Sequence, residues 1–232
     1  MEGRYNAAFL LQEILVESAN IATACPSGIY VCPSLSTPRI WQGVIFLKKG
    51  PYAGGVFRFL IFFPDQYPYA LPAIRMISTL TSHPLVNPLN NEFDLTQGEG
   101  GERGRGDMAT LADVSQEPRL FYLNGRVHIG RILSYFKRSF KSSSLDQLSS
   151  LYQHDRTRFE QIATQDAALS RATHILYEED ENGDPYAGNS DGADLFSILS
   201  GENVIKFAHV GTEGSDAVEQ LWNYLSNERT RN

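Results

Sequence analysis

Cysteine is nearly missing from this chain: among 232 residues there are two, Cys25 and Cys32, and none after position 32. So few thiols exclude a disulfide framework and fit a reducing setting, where a disulfide between them is not expected. No run approaches the roughly 20 apolar residues of a membrane helix. The apolar N-terminal stretch is interrupted by Gln12 and Glu13 and follows Glu2, so it is not read as a secretory leader. No Asn-x-Ser/Thr sequon occurs, and the final Thr-Arg-Asn is not a prenylation signal. Basic charge is also short, since the formal net charge is -7. That argues against a nucleic-acid binder, which is usually basic. The expectation is a soluble, cytoplasmic protein without a nucleic-acid partner.

Hydrophobic residues make up 42% and charged residues 20%, a globular balance. The spacing of Tyr5, Ala8, Phe9, Leu11 and Leu15 predicts an amphipathic helix over 4–19. Four strands follow, at Gly28–Pro33, Ile40–Lys48, Val56–Phe63 and Ala73–Thr79, rich in β-branched and aromatic residues. Phe57, Phe59, Ile61 and Phe63 share one face of the third. Its other face, Val56, Arg58, Leu60 and Phe62, is apolar enough to predict partial cover on both sides. The linkers carry Gly50-Pro51, Gly54-Gly55 and Pro64-Asp65. They are too short for parallel crossovers, so a four-stranded antiparallel meander is predicted.

Thr96–Leu120, interrupted by five glycines, reads as a long loop. Helical periodicity returns at Val127–Phe140 through Ile129, Ile132, Leu133, Phe136 and Phe140. Lys137, Arg138 and Lys141 suit its C-terminal dipole. The three serines 142–144 read as a boundary, and Asp146–Thr173 as one further helix. Glu178–Asp194 is acidic and Gly-rich. Ser215–Leu225 predicts a last helix with a Val218, Leu221, Trp222, Leu225 stripe. Strands followed by helices indicate an α+β fold, with a domain over 1–143 and a helical extension over 144–232.

Several ordered motifs resemble the ubiquitin-conjugating enzymes. These are Pro51-Tyr52-Ala53-Gly54-Gly55-Val56-Phe57, Phe63-Pro64-Asp65-Gln66-Tyr67-Pro68, Leu71-Pro72 and His83-Pro84, with Trp41 in the second strand. The likeness covers about residues 5–141. Active members of that family carry His-Pro-Asn and, nine residues after the Asn, a catalytic cysteine. Here Leu85 holds the Asn position and Asp94 the cysteine position. A thioester needs a thiolate, whereas acylation of Asp94 would give an anhydride that hydrolyses. Leu85 cannot donate a hydrogen bond to an oxyanion, a loss that typically costs about 100–1000-fold. The resemblance therefore implies a pseudoenzyme with a degenerate site at His83, Pro84, Leu85 and Asp94.

A narrower likeness adds Trp41–Phe46, His83-Pro84-Leu85-Val86-Asn87-Pro88, His128–Leu133, Leu151-Tyr152 and Asp184-Pro185-Tyr186-Ala187. Together these resemble the fused-toes, or AKT-interacting, family. The resemblance implies an adaptor that binds a Hook-like coiled-coil protein and a Hook-interacting subunit. Such an assembly links vesicles to dynein on microtubules, with membrane contact only through partners. The alternative reading is a ubiquitin-binding variant in signalling or sorting.

Individual residues admit plainer readings. His83 is expected to pin the loop after the fourth strand. Asp94 lacks a third ligand for a metal, and Cys32, before Pro33, reads as a packed thiol. Residues 104–109 fit a dinucleotide glycine pattern without its preceding strand. Arg105-Gly106-Asp107 spells an integrin tripeptide, which a cytoplasmic chain would not use. The loop from Asp180 to Asp191 carries Pro185 where calcium loops need glycine. No cofactor is expected. Leu221, Trp222 and Leu225 either pack back on the domain or present a partner-binding stripe.

Overall fold

The computed structural model describes residues 7–34, 37–96 and 120–172. Helix α1 (Ala7–Ala24) opens the chain and buries Leu10, Ile14 and Ile21 on one face. It runs five residues past its predicted end. Strands β1 (Ile29–Pro33), β2 (Ile40–Phe46), β3 (Val56–Phe62) and β4 (Ala73–Met76) form the predicted antiparallel meander. The sheet has five strands, not four. Residues Glu92–Phe93 return as β5 beside β4, in the order β1-β2-β3-β4-β5. Two residues carry no readable alternation, so only their pairing with Ile74 and Arg75 defines the strand.

The inner face of β3 is the base of the core. Phe57, Phe59 and Ile61 are inaccessible to solvent, and Phe63 continues the row. Trp41 and Ile45 of β2 lie opposite Ile61 and Phe57. Opposite Phe59 stands Gly43, and a Cβ there would come within 2.3 Å of the Phe59 ring. Glycine is thus what lets the phenylalanine lie across β2. The outer face of β3 is only partly covered, as its apolar character predicts: Leu60 is buried with Ile40, against Phe62 and Ile77.

After the undescribed stretch, β6 (Tyr122–Leu123) and β7 (Arg126–Val127) form a hairpin over Asn124-Gly125. Both turn residues have positive φ, 54° and 74°, the conformation for which Asn-Gly is favoured. The Phe63–Pro68 motif receives this hairpin. The Val127 amide donates to the Pro68 carbonyl (2.8 Å), and the Tyr67 hydroxyl donates to the Val127 carbonyl (3.3 Å). Helix α2 (Ile129–Ser139) then buries Ile129, Ile132, Leu133 and Phe136, the predicted stripe, with Phe140 just beyond its end. Phe136 meets Phe59 at 4.8 Å between ring centroids, and Phe140 stacks on Phe57 at 6.1 Å.

The single helix predicted over Asp146–Thr173 is three: α3 (Ser142–Leu148), α4 (Ser150–His154) and α5 (Arg156–Leu169). The serines read as a boundary include the first turn of α3. Two caps make the breaks. Ser149 accepts from the Tyr152 amide and Asp155 from the Arg158 amide, each residue itself outside helical geometry. Leu145, Tyr152, Phe159, Ala163 and Ala167 nevertheless join the same core cluster as the sheet and α2. The predicted loop between Thr96 and Leu120, the acidic stretch and the Leu221–Trp222–Leu225 helix lie outside the described residues.

Gly43→Ala should lose about 1–3 kcal/mol by overpacking the Phe59 ring. The urea unfolding midpoint checks this; an unchanged midpoint would show that the ring can retreat.

Candidate functional site

The segment Thr81–Leu85 leaves β4 and is held from three directions. Its first anchor is on α5. Asp166 is 2% exposed, and its carboxylate accepts from the Ser82 amide (2.9 Å), the Ser82 hydroxyl (2.6 Å) and the Thr81 hydroxyl (3.0 Å). Because the Ser82 proton is committed to that short contact, the Tyr52 hydroxyl donates to Ser82 Oγ at 3.0 Å. Burial pushes the Tyr52 phenol far above its ordinary range, so it keeps its proton as the donor. Sequence reading did not find Asp166, since nothing in an amphipathic helix marks which acid turns inward.

The second anchor is on α2. His83 is buried in a box of rings, with centroids of Phe140, Phe93 and Tyr52 at 4.5, 5.7 and 5.8 Å. Its Nδ1 accepts from the Leu85 amide at 3.3 Å. Nε2 therefore carries the proton and donates to Ser139 Oγ (3.2 Å), which itself donates to the Phe136 carbonyl (2.8 Å). Burial drives the His83 pKa down from 6.5 to about 3, and the contact to Ser139 only partly opposes that. This is the pinning role expected for His83, and with both nitrogens engaged it has no free group for proton transfer.

The third anchor joins the two substituted positions. The Asp94 amide donates to the Leu85 carbonyl at 2.7 Å, and Val86 bridges Phe93. Leu85 is 1% exposed and belongs to the core. Asp94 Oδ1 accepts from the Thr96 amide (2.8 Å) and hydroxyl (2.6 Å), a local turn that stabilises the carboxylate where it stands. Beside it lies an open groove of about 410 Å³, lined by Leu71, Pro72, Asn87, Phe93, Asp94 and Thr96 among others. The structure thus brings His83, Pro84, Leu85 and Asp94 together. Leu221, Trp222 and Leu225 are not among the described residues.

Cys32 stands elsewhere. It lies on β1, at the edge of the sheet opposite β5. Four strand spacings of about 4.8 Å put it roughly 19 Å from the Asp94 side. Burial raises its thiol pKa, as it does that of Cys25, and both thiols are free. Neither is an activated nucleophile. Among the described residues no three His, Cys, Asp or Glu side chains converge on a metal-sized site.

Comparison with known families agrees with this architecture. A family model described as ubiquitin-conjugating enzyme matches residues 13–92, the span from α1 to the start of β5. The chain carries a ubiquitin-conjugating-enzyme domain. Among curated proteins it is 40% identical to the crossbronx homolog of Culex quinquefasciatus over 92 residues, 38% of this chain and 39% of that protein. It is 27% identical to the AKT-interacting protein of Rattus norvegicus over 188 residues, 79% of this chain and 57% of that protein. The Danio rerio AKT-interacting protein is 36% identical over 91 residues, 39% of this chain and 31% of that protein. AKT-interacting protein is the name of the family that the sequence motifs resemble. The chain spans little more than half the length of the AKT-interacting protein it matches most extensively here.

Two outcomes follow from the anchors. Asp166→Ala should cost about 3 kcal/mol in urea denaturation, because it strands the Ser82 amide in the interior along with two hydroxyls; a loss below about 1 kcal/mol would mean water replaces the carboxylate. For His83, the folded-state pKa lies below the unfolded 6.5. The neutral ring's contribution is complete above 6.5 and declines as the pH falls toward 3, by about 1.4 kcal/mol per pH unit. The stability gap between wild type and His83→Gln should therefore narrow between pH 7 and pH 4, and a constant gap would contradict the buried neutral imidazole.

Proposed function

We propose that this chain is a non-catalytic adaptor of the ubiquitin-conjugating fold, with Asp94 at the former nucleophile position and Leu85 at the former oxyanion-donor position. The observation that carries the reading is how both positions are used. Leu85 is packed into the core, and Asp94 is tied to Thr96 by two hydrogen bonds. A buried leucine side chain supplies no donor for a developing oxyanion, and a carboxylate cannot form a thioester. The adjacent His83 is neutral and fully engaged, so no acid or base takes over the role. All three groups serve the fold.

The relatives' names support an interaction role, since AKT-interacting protein is named for a binding partner and not for a conjugation reaction. We take the partner from the resemblance to the fused-toes family: a Hook-like coiled-coil protein together with a Hook-interacting subunit. On this reading the protein works in the cytoplasm, on vesicles carried along microtubules by dynein.

Incubation with ubiquitin-activating enzyme, ATP and ubiquitin should give no dithiothreitol-sensitive adduct; such an adduct would overturn the non-catalytic reading. Co-purification with the C-terminal segment of a Hook homologue at low salt tests the partner, and its absence would remove Hook. Localised NMR shifts on titration with ubiquitin would instead move the protein to the ubiquitin-binding class.

A further inference from the structure

Strand β1 is the edge of the sheet opposite β5, and its outer side is open at one place. In the antiparallel pairing with β2, the Phe46 amide donates to the Gly28 carbonyl and the Ser34 amide to the Ile40 carbonyl, both at 2.8 Å. Gly28, Tyr30, Cys32 and Ser34 therefore turn their backbone groups toward β2, while Ile29, Val31 and Pro33 turn theirs outward. Ile29 is closed by its own neighbours. Its amide donates to the Pro26 carbonyl (3.1 Å), and its carbonyl accepts from the Cys25 thiol (3.3 Å). Pro33 has no amide hydrogen to offer. Of the three, only Val31 keeps an outward amide and an outward carbonyl, both without a partner among the described residues.

An open groove of about 1030 Å³ runs past this point. Tyr30, Val31 and Cys32 line it, and the Tyr30 side chain stands free in it at 61% exposure. An exposed aromatic beside an open strand edge is a surface on which another extended chain can lie.

The charge of the groove is as specific as its edge. The whole chain has five lysines, and four of them, Lys48, Lys49, Lys137 and Lys141, line this groove, with no acid among the lining residues. Lys48, Lys49 and Lys141 are exposed. The Lys137 ammonium donates to the carbonyl and the hydroxyl of Ser27, two uncharged groups. None of the four enters an ion pair among the described residues. The lysines gather at the Gly28 end of β1, because Lys48 and Lys49 follow β2 and Lys137 holds Ser27. In a protein of net charge -7, so local a positive field selects an anionic partner.

We propose that the β1 edge takes an extended acidic peptide of a partner protein as a further, antiparallel strand. One peptide residue exchanges both backbone hydrogen bonds with Val31, its neighbours lie along Tyr30, and carboxylates beyond them meet the four lysines. An antiparallel strand at this edge runs its C-terminal end toward Gly28, so the acids follow the apolar residues in the peptide. A single open residue gives only two backbone bonds. The lysines therefore supply much of the affinity, and binding weakens with salt.

Fluorescence anisotropy with the full-length protein tests this. The probe is a labelled synthetic peptide in which alternating valines and threonines are followed by a run of glutamates. It should bind saturably below about 1 mM at low salt, and the same peptide with lysines in place of the glutamates should not. The K48E, K49E protein should bind it about tenfold more weakly, the loss expected for two exposed ion pairs. Methylating the amides along one edge of the peptide should abolish binding, and methylating those along the other edge should not. In NMR spectra of the complex the Val31 amide should shift and gain protection from exchange. No saturable binding, equal binding of the lysine peptide, an unchanged affinity in K48E, K49E, indifference to methylation on either edge, or an unmoved Val31 amide would each overturn the proposal. Sedimentation with phosphatidylserine vesicles in the absence of peptide binding would assign the lysines to a membrane surface and overturn it as well.

Discussion

Everything in the described structure leans on one contact surface, the row of rings that α2 sets against β3. Phe136 reaches Phe59 where Gly43 leaves the neighbouring strand without a side chain, and Phe140 reaches Phe57, whose ring lies where a side chain at Gly55 would stand. The ring of His83 enters the same stack from the side. Its company of Phe140, Phe93 and Tyr52 makes a charged imidazole untenable, and the Leu85 amide at Nδ1 then fixes the tautomer and the bond to Ser139. The loop leading to Leu85 inherits its position from that packing.

A reacting centre keeps some polar groups in reserve, with a donor or lone pair facing the place where substrate will sit. Around Leu85 and Asp94 the polar groups are spent on the protein itself. Asp166 takes three donors, His83 uses both nitrogens, and Asp94 closes a turn with Thr96. On the proposed non-catalytic reading, the scaffold of a conjugating enzyme is kept while these groups serve stability.

The legible parts of the fold were those with a strong period. Alternation along β3 and the stripe on α2 each bury one face, so their sequence must repeat with the geometry. The third, fourth and fifth helices were read as one because all three face the same core and the apolar spacing continues through the breaks. Ser149 and Asp155 stop the chain by capping, and composition alone does not distinguish a capping serine from an exposed one. The Asn124-Gly125 hairpin carries a local turn signal, but it sits at the end of a long glycine-rich stretch and its strands are only two residues each. Strand β5 has no signal of its own, because its register is imposed by β4. At the site, motif spacing located His83, Leu85 and Asp94. Asp166 was invisible, since its meaning depends on Ser82, which is 84 residues away.

That last separation bears on how the protein is made. The sheet, its hairpin and its first helix are complete in sequence long before α5, yet Ser170 caps the Val56 amide across 114 residues and Asp166 closes the loop at Ser82. Contacts so distant along the chain form late, after the loop entropy between them has been overcome. A nascent chain emerging from the ribosome would therefore carry an assembled sheet whose start of β3 and His-Pro loop are still open. Until residue 170 arrives, that unfinished edge is the part of the molecule most exposed to chaperones, to proteases and to other nascent strands.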